Sequence, residues 1–211
     1  MLPKSPIELV AQHRTVPLLI GFDGEEDAVF FSPFPNPYGY DDWVTETNEL
    51  VGPARGTATR TLYPPNAYQS FLWSYLTMRT DAVRGCPTRR LANAVRAPVW
   101  RWLYTHTDEH DPRLAQFKAS HLLEDQFIWH ADVQHLGHAL TPNETVLSKR
   151  MTAYWTNFAK HHDPNHSGLP HWPRYHPGRE PTLTLDNPSG SHTATTTRSA
   201  FLDTLPSPFP P

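Results

Sequence analysis

The chain has 211 residues, with 18 lysines and arginines against 21 aspartates and glutamates, so its formal net charge is −3. This balance excludes a strongly basic nucleic-acid-binding protein, because no surplus of cations is available to neutralise phosphates. A hydrophobic content of 38%, with 7 Trp, 8 Tyr and 10 Phe, can build one sizeable core. The 23 prolines divide the chain into short elements. We therefore expect one domain, or one piece of a larger one.

Neither a membrane span nor a secretion signal is expected. No apolar run approaches the roughly 18 residues that cross a bilayer, and no basic segment followed by an apolar one marks a signal peptide. Cys86 is the single cysteine, which excludes an intrachain disulfide and a cysteine-based zinc cage. A cytoplasmic location is the default expectation.

The N-terminal quarter predicts one buried strand and one helix. Residues 16–20 form a continuous apolar run that is typical of a strand inside a parallel sheet. An acidic cluster at residues 23–27 follows directly, and the proline-rich residues 33–39 predict a loop. Residues 41–50 predict a short amphipathic helix with one of its first two aspartates as N-cap. Its inward face contains Trp43, Val44 and Thr47.

The middle of the chain predicts two helices and a second strand. Residues 66–77 place apolar side chains at helical spacing. Residues 87–96 predict another helix that ends before Pro98, with a solvated face formed by Arg89, Arg90 and Arg96. Residues 99–105 are aromatic and alternating, which favours a strand whose aromatic side chains enter the core.

The longest helix is predicted at residues 141–161, with Thr141 as N-cap, Pro142 in the first position and Glu144 completing a capping box. Its apolar stripe contains Val146, Leu147, Met151, Tyr154, Trp155 and Phe158. A loop at 163–178, a strand at 182–186 and a disordered proline-rich tail at 206–211 follow. This order of elements predicts an α/β fold, with one domain over residues 1–205.

Glu26 and His121 form the candidate acid–base pair. Glu26 follows the carboxyl end of a predicted buried strand, where open α/β sheets place catalytic and ligand-binding groups. A carboxylate that precedes a histidine matches the order of the last two members of a Ser…Asp/Glu…His triad. In such a triad the histidine moves the proton, and the carboxylate fixes the tautomer of the ring. A solvated acidic turn and a surface histidine are the simpler alternative.

Four segments strengthen the catalytic interpretation, because together they resemble the C-terminal part of the type-B carboxylesterase and cholinesterase family. They resemble the family patterns GxNxDEGxxF, CPTRRLA…PVWRYLF, ASHGxELPFVFG and MxxYWTNFAxxGDPN…LPxWP, and they occur in the family's order. The segments are residues 16–31, 81–105, 119–130 and 151–173, followed by closing segments at 182–186 and 201–205.

The resemblance implies part of an α/β-hydrolase fold and a carboxylic-ester substrate. Carried over by position, Glu26 is the triad acid and His121 the triad base. Glu124, three residues after the histidine, would support the loop that contains His121. The resemblance implies no cofactor and no metal.

Several departures from the family pattern bear on activity. The 211 residues contain no G-x-S-x-G nucleophile elbow and no glycine-rich oxyanion loop. Leu122 and His130 stand where the family has glycine. Asp27 also replaces a glycine, and it could either compete for His121 or face water. Cys86 matches a family disulfide position, but Ser199 is the residue nearest to its expected partner.

Without a serine and oxyanion donors, Glu26 and His121 have nothing to activate, so the chain alone is expected to be inactive. A truncated gene, or one half of a split enzyme whose separate N-terminal half carries the serine, would explain this pattern. Two alternatives stay open: a non-catalytic binding module of the cholinesterase-like kind, and a non-functional gene remnant.

Other reactive residues favour structural roles. Histidine pairs at 106/110, 135/138 and 161–162/166 could bind zinc, but they lie in loops and match no metal-binding motif. Cys86 is expected to be a packed or surface thiol, because nothing identifies a base for it. Ser74, Ser120 and Ser191 lack an elbow.

Overall fold

The computed structural model describes residues 4–13, 15–31, 37–130, 137–188, 190–193 and 201–204. Within this part of the chain, four strands form one sheet in the order β1-β2-β3-β4. The strands are β1 (Leu18–Asp23), β2 (Val99–Tyr104), β3 (Pro181–Leu185) and β4 (Gly190–Thr193). The first three are parallel and the fourth is antiparallel to its neighbour. The predicted α/β class is confirmed.

Three of the strands were predicted, and β4 was not. The predicted strand at 16–20 lies two to three residues further along the chain as β1, whereas β2 and β3 match their predictions to within a residue. Residues 190–193 read Gly-Ser-His-Thr and have no apolar alternation, so pairing with β3 is what makes them a strand.

Helices flank this sheet. The helices are α1 (Pro6–Gln12), α2 (Tyr40–Val51), α3 (Pro53–Leu62), α4 (Phe71–Thr80), α5 (Cys86–Ala94), α6 (Pro112–Ala115), α7 (Leu123–Trp129) and α8 (Pro142–His161). A π-helical segment, Asp81–Gly85, joins α4 to α5. The sequence did not predict α3, because its residues are mostly polar and show no apolar period.

Helix α8 confirms its predicted cap. Thr141 Oγ1 accepts a hydrogen bond from the Glu144 backbone N–H (3.2 Å), and Glu144 Oε2 accepts one from the Thr141 N–H (2.8 Å). Most of the predicted stripe faces the core, but Val146 was assigned wrongly and is 47% exposed. It lies one position before the buried Leu147, and each helical residue turns the side chain by about 100°.

Two further predictions about helices were wrong. Gly39, not an aspartate, caps α2, because the Asp42 side chain accepts a hydrogen bond from the Gly39 N–H (2.8 Å). Arg89 and Arg90 do not form a solvated face, since they pair with Glu180 (2.7 Å) and with Asp203 (3.2 Å). These acids lie far along the chain, Glu180 directly before β3 and Asp203 after the sheet, so local periodicity could not identify them.

The main core lies between the sheet and α8. It contains Trp100, Tyr104, Leu147, Met151, Tyr154, Trp172, Leu183 and Leu185, among others. A second cluster packs α4 and the π-helical segment against residue 202 and includes Cys86. Burial raises the pKa of the Cys86 thiol to about 11, which disfavours the reactive thiolate. The cysteine is therefore a packed residue.

Some predictions concern residues beyond the described part. The proline-rich tail at 206–211 and most of the predicted loop at 33–39 lie outside the described residues. Among the residues that are described, no helix is both long and apolar enough to cross a membrane. The cytoplasmic location and the domain boundary at residue 205 stay predictions.

Candidate active site

A tight loop after β1 holds Glu26 at the carboxyl end of the sheet. The Gly24 N–H donates to the carbonyl of Tyr104 on β2 (2.8 Å), which keeps the loop against the strand end. The Asp23 N–H donates to Glu26 Oε1 (3.1 Å), so the glutamate folds back onto β1. Glu26 is only 7% exposed. Its carboxylate is thus buried and already oriented by the backbone.

The segment before α7 brings His121 to the same edge of the sheet. Backbone hydrogen bonds join the two loops: the Glu25 N–H donates to Ala119 O (2.9 Å), and the His121 N–H donates to Glu26 O (3.2 Å). The two catalytic candidates are therefore tied through their main chains as well as their side chains.

The His121 ring contacts the Glu26 carboxylate directly. Nδ1 lies 2.8 Å from Oε2 of a residue 95 positions earlier in the chain. Within the described residues Nε2 has no hydrogen-bond partner, and the side chain is 37% exposed. The Phe30 ring packs at 5.4 Å from the imidazole. A carboxylate on Nδ1 places the proton there and leaves Nε2 as the basic atom of the ring.

Asp27 takes neither of the roles that the sequence left open. It is 1% exposed, so it does not face water, and its carboxylate contacts arginines rather than His121. Arg79 Nε lies 2.9 Å from Oδ2, and Arg84 lies 3.6 Å from Oδ1 and 3.8 Å from the Glu26 carboxylate. Neither arginine could be identified from the local sequence, because both lie more than fifty residues away, at the end of α4 and in the π-helical segment.

Glu124 lies in the first turn of α7, three residues after His121 in the sequence. Its carboxyl lies against the carboxyl of Asp23, the last residue of β1. Burial, followed by the nearness of Glu124, raises the pKa of Asp23 to about 11. The predicted supporting position of Glu124 therefore has a partner, Asp23, that the sequence analysis did not single out.

The two positions where the family pattern has glycine keep a glycine-like backbone. Leu122 has a φ of 70° and His130 a φ of 54°, both in the left-handed region. L-residues other than glycine, asparagine and aspartate adopt it at a cost of about 1 kcal/mol or more. Both residues therefore adopt a backbone conformation that favours glycine, at positions where the family pattern has glycine.

The serines of the site are structural in the described part of the chain. Ser120 is 1% exposed, and its Oγ accepts a hydrogen bond from the Val29 N–H (2.9 Å). Ser74 Oγ is buried between Tyr63 and Trp43. Neither hydroxyl lies at Nε2 of His121.

The histidine pairs pack against carboxylates. His106 is held between Asp186 (3.1 Å) and Glu144 (3.2 Å), and His138 contacts Asp108 (3.0 Å). His135 lies outside the described residues. Among the residues with assigned positions, no group of three or more His, Cys, Asp or Glu is arranged to hold a metal ion.

Comparison with known proteins gives a consistent set of relatives. A model described as the carboxylesterase family matches residues 1–202. The chain is 28% identical to an acylcarnitine hydrolase of Rattus norvegicus, over 82% of this chain and 34% of that protein. It is 29% identical to para-nitrobenzyl esterase of Bacillus subtilis (strain 168), over 88% of this chain and 38% of that protein.

Solved structures agree with these relatives. A thermophilic PNB esterase matches with a TM-score of 0.75 at 26% identity, covering 95% of this chain and 41% of its own. A second PNB esterase structure matches with a TM-score of 0.73 at 25% identity. The chain spans little more than a third of the length of the curated relatives it matches.

Proposed function

Because the chain belongs to the carboxylesterase family, we propose that it contributes the acid and the base of a serine-dependent carboxylic-ester hydrolase. The family and the α/β-hydrolase fold predicted from the sequence are both confirmed. The observation that carries the proposed activity is the 2.8 Å contact between His121 Nδ1 and Glu26 Oε2, on a side chain that is 37% exposed. Residues 1–205 would form one part of the catalytic domain.

In the proposed reaction, Nε2 of His121 takes the proton of a serine hydroxyl as the serine oxygen attacks the ester carbonyl carbon. Glu26 holds the Nδ1–H and stabilises the imidazolium that forms. The same proton then passes to the leaving alcohol oxygen, and the acyl group stays on the serine. Water, deprotonated by His121, attacks the acyl ester, and the carboxylic acid leaves as His121 returns the proton to the serine oxygen.

The serine would come from outside these 211 residues, on a separate N-terminal half or an additional segment. No G-x-S-x-G sequence occurs in the chain, and the buried hydroxyls of Ser74 and Ser120 are already hydrogen-bonded. We therefore expect the 211-residue chain alone to be inactive. The substrate would be a small carboxylic ester.

A purely non-catalytic binding module fits the site less well. Such a module needs no histidine with one ring nitrogen held by a buried glutamate and the other open to solvent. The oriented pair favours the hydrolase over the binding module and over an unfolded remnant.

The test begins with hydrolysis of a short-chain p-nitrophenyl ester by the purified chain and by its His121→Ala variant. We expect equal rates near the imidazole background. A rate at least a hundredfold above the variant would mean that a nucleophile lies within these residues.

The second step supplies the missing nucleophile. The chain would be fused behind the part of the Bacillus subtilis para-nitrobenzyl esterase that it does not match. We expect a cooperatively melting fusion to hydrolyse the ester, and His121→Ala and Glu26→Gln to lower kcat by about 10²–10⁴. His138→Ala, a change in a second histidine–carboxylate pair, is the matched control and should leave kcat unchanged. A folded but inactive fusion, or one indifferent to His121, would contradict the proposal.

A further inference from the structure

The carboxyl group of Asp23 is buried and has no hydrogen-bond donor among the described residues. The residue is 1% exposed at the end of β1. Neither of its side-chain oxygens has a hydrogen-bond donor among the described residues, and the same holds for Oε2 of Glu124. Two ionised carboxylates in this position would repel each other and lack compensation for the water that they lose on folding.

The groups around Asp23 make its ionised form still less favourable. The carboxyl charges of Glu124 and Asp125 on α7 and of Glu26 in the loop that follows β1 act on it, and Tyr104 is its partner on the neighbouring strand β2. Three of these groups are carboxyls, and burial keeps the fourth, a phenol, neutral by raising its pKa. Burial and the neighbouring carboxylates together raise the pKa of Asp23 to about 11.

We propose that Asp23 carries a proton and donates it in a hydrogen bond to Glu124, and that this bond positions the Glu26–His121 pair. One proton then satisfies both carboxyl groups, since a carboxylic acid donates and a carboxylate accepts. Asp23 is a positioning residue, because it touches neither substrate nor the reacting atoms. The effect on ester hydrolysis rests on the function proposed above, whereas the protonation state does not.

The hydrogen bond joins the supports of the two catalytic side chains. The backbone N–H of Asp23 holds Glu26 Oε1 at 3.1 Å. Glu124 is the second residue of α7, which starts directly after His121 and its left-handed neighbour Leu122. A proton shared between Asp23 and Glu124 therefore fixes the loop of the acid against the helix of the base. Loss of that proton would place two anions between β1 and α7.

The protonated Asp23 makes the folding stability of the chain depend on pH in a definite direction. An aspartate in an unfolded chain ionises near pH 4, whereas the folded chain keeps the Asp23 proton up to about pH 11. Folding must therefore take up a proton between these two values, so this residue lowers stability as pH rises above about 4. Asparagine needs no proton, and its amide N–H can donate the same hydrogen bond to Glu124.

The experiment compares thermal and denaturant unfolding of the parent chain, Asp23→Asn and Asp27→Asn from pH 5 to pH 9. We expect Asp23→Asn to be the more stable protein at neutral pH. The ratio of the parent's unfolding constant to that of Asp23→Asn should grow by up to tenfold per pH unit. Asp27→Asn makes the same chemical change four residues later, but it should destabilise, because Asp27 is paired with Arg79 (2.9 Å). A flat or opposite pH dependence for Asp23→Asn would overturn the proposal.

Two further measurements keep the test decisive if a variant does not fold. Infrared spectra of the parent labelled with ¹³C at the aspartate carboxyl should show one protonated carboxylic acid at pH 7, and its absence would overturn the proposal. The labile Nδ1 proton of His121, assigned with His121→Ala, should be visible by NMR in the parent and in Asp23→Asn and should be lost in a folded Asp23→Ala. Its persistence in Asp23→Ala would show that Asp23 does not position the pair. Neither measurement depends on ester hydrolysis, so an inactive chain would leave this conclusion standing.

Discussion

In the described part of the chain, His121 and His106 each contact a carboxylate, but the two sites differ in what the second ring nitrogen does. At His121, Glu26 occupies Nδ1, and Nε2 has no hydrogen-bond partner among the described residues, on a side chain that is 37% exposed. At His106, Asp186 occupies Nδ1 and Glu144 occupies Nε2, on a ring that is 4% exposed. The same pair of residue types is therefore a candidate catalyst in one place and a structural bridge in the other.

The electrostatics of the His106 site support this distinction. Burial by itself lowers the pKa of His106, but the hydrogen bonds to Asp186 and Glu144 outweigh it and raise the pKa above the ordinary value. The hydrogen bond from His106 lowers the pKa of Asp186. Burial by itself raises the pKa of Glu144, but hydrogen bonds from two backbone N–H groups and from His106 outweigh burial and lower the pKa. A protonated imidazole between two carboxylates is stable but has no lone pair left to accept a proton.

The largest expected effect comes from breaking the His106 bridge. Glu144→Ala removes the acceptor of His106, of the Thr141 N–H and of the Glu109 N–H at once. We expect a loss of about 3–5 kcal/mol in the free energy of unfolding, since a buried charged group loses its partner. Urea titration measures it, and the exposed Glu49→Ala in α2 is the matched control, expected to change stability by less than about 0.5 kcal/mol. Equal effects of the two variants would mean that the bridge does not hold the fold together.

The second prediction is that the stabilisation of the fold by the His106 bridge has a pH optimum. The carboxylates have lowered pKa values in the fold, so their stabilisation is present above about pH 4.5 and lost as pH falls. His106 has a raised pKa, so its stabilisation is full below about pH 6.5 and is lost as pH rises through the folded value. We expect the contribution of the bridge, taken as the difference between the parent and His106→Gln, to be greatest between these limits. The change across the window should be on the order of 1 kcal/mol. If the difference in the free energy of unfolding between the parent and His106→Gln rose steadily to pH 9, the prediction would be contradicted.

A smaller effect on stability is expected at the open site. His121→Ala removes one hydrogen bond from a partly exposed ring, so the free energy of unfolding should fall by no more than about 1 kcal/mol. The same variant should lower kcat of the fused enzyme by about 10²–10⁴. Calorimetry beside the kinetic assay separates the two effects. A loss of stability as large as that of Glu144→Ala would make His121 a structural residue like His106.

The smallest expected effect concerns the strained backbone beside His121. Leu122→Gly should stabilise the chain by about 0.5–1 kcal/mol, because glycine adopts the left-handed conformation without steric cost. The leucine side chain is 52% exposed and loses little burial. Denaturant midpoints measure the change. Destabilisation would show that the Leu122 side chain contributes packing that outweighs the strain.

Local chemistry made much of the fold predictable. The capping box of α8 lies within four consecutive residues, β1 overlaps a continuous apolar run, and β2 is an aromatic, alternating segment, so each element could be read from its own segment. Where the local pattern was weak, prediction failed: α3 is polar, and β4 exists because it pairs with β3. Family motifs placed Glu26 and His121, but motifs carry no information on the partners of residues outside them.

The sequence by itself determined the α/β class, the family and the identities of the candidate acid and base. Only the tertiary structure decided which carboxyl faces which neighbour: Glu26 meets His121, Asp27 meets Arg79, and Asp23 meets Glu124. All three acids lie within five consecutive residues, so no local pattern separates their roles. The physical reason is that tertiary packing brings α4 and the segment from His121 into α7 to the carboxyl end of β1, although these partners lie about 50 to 100 residues further along the chain.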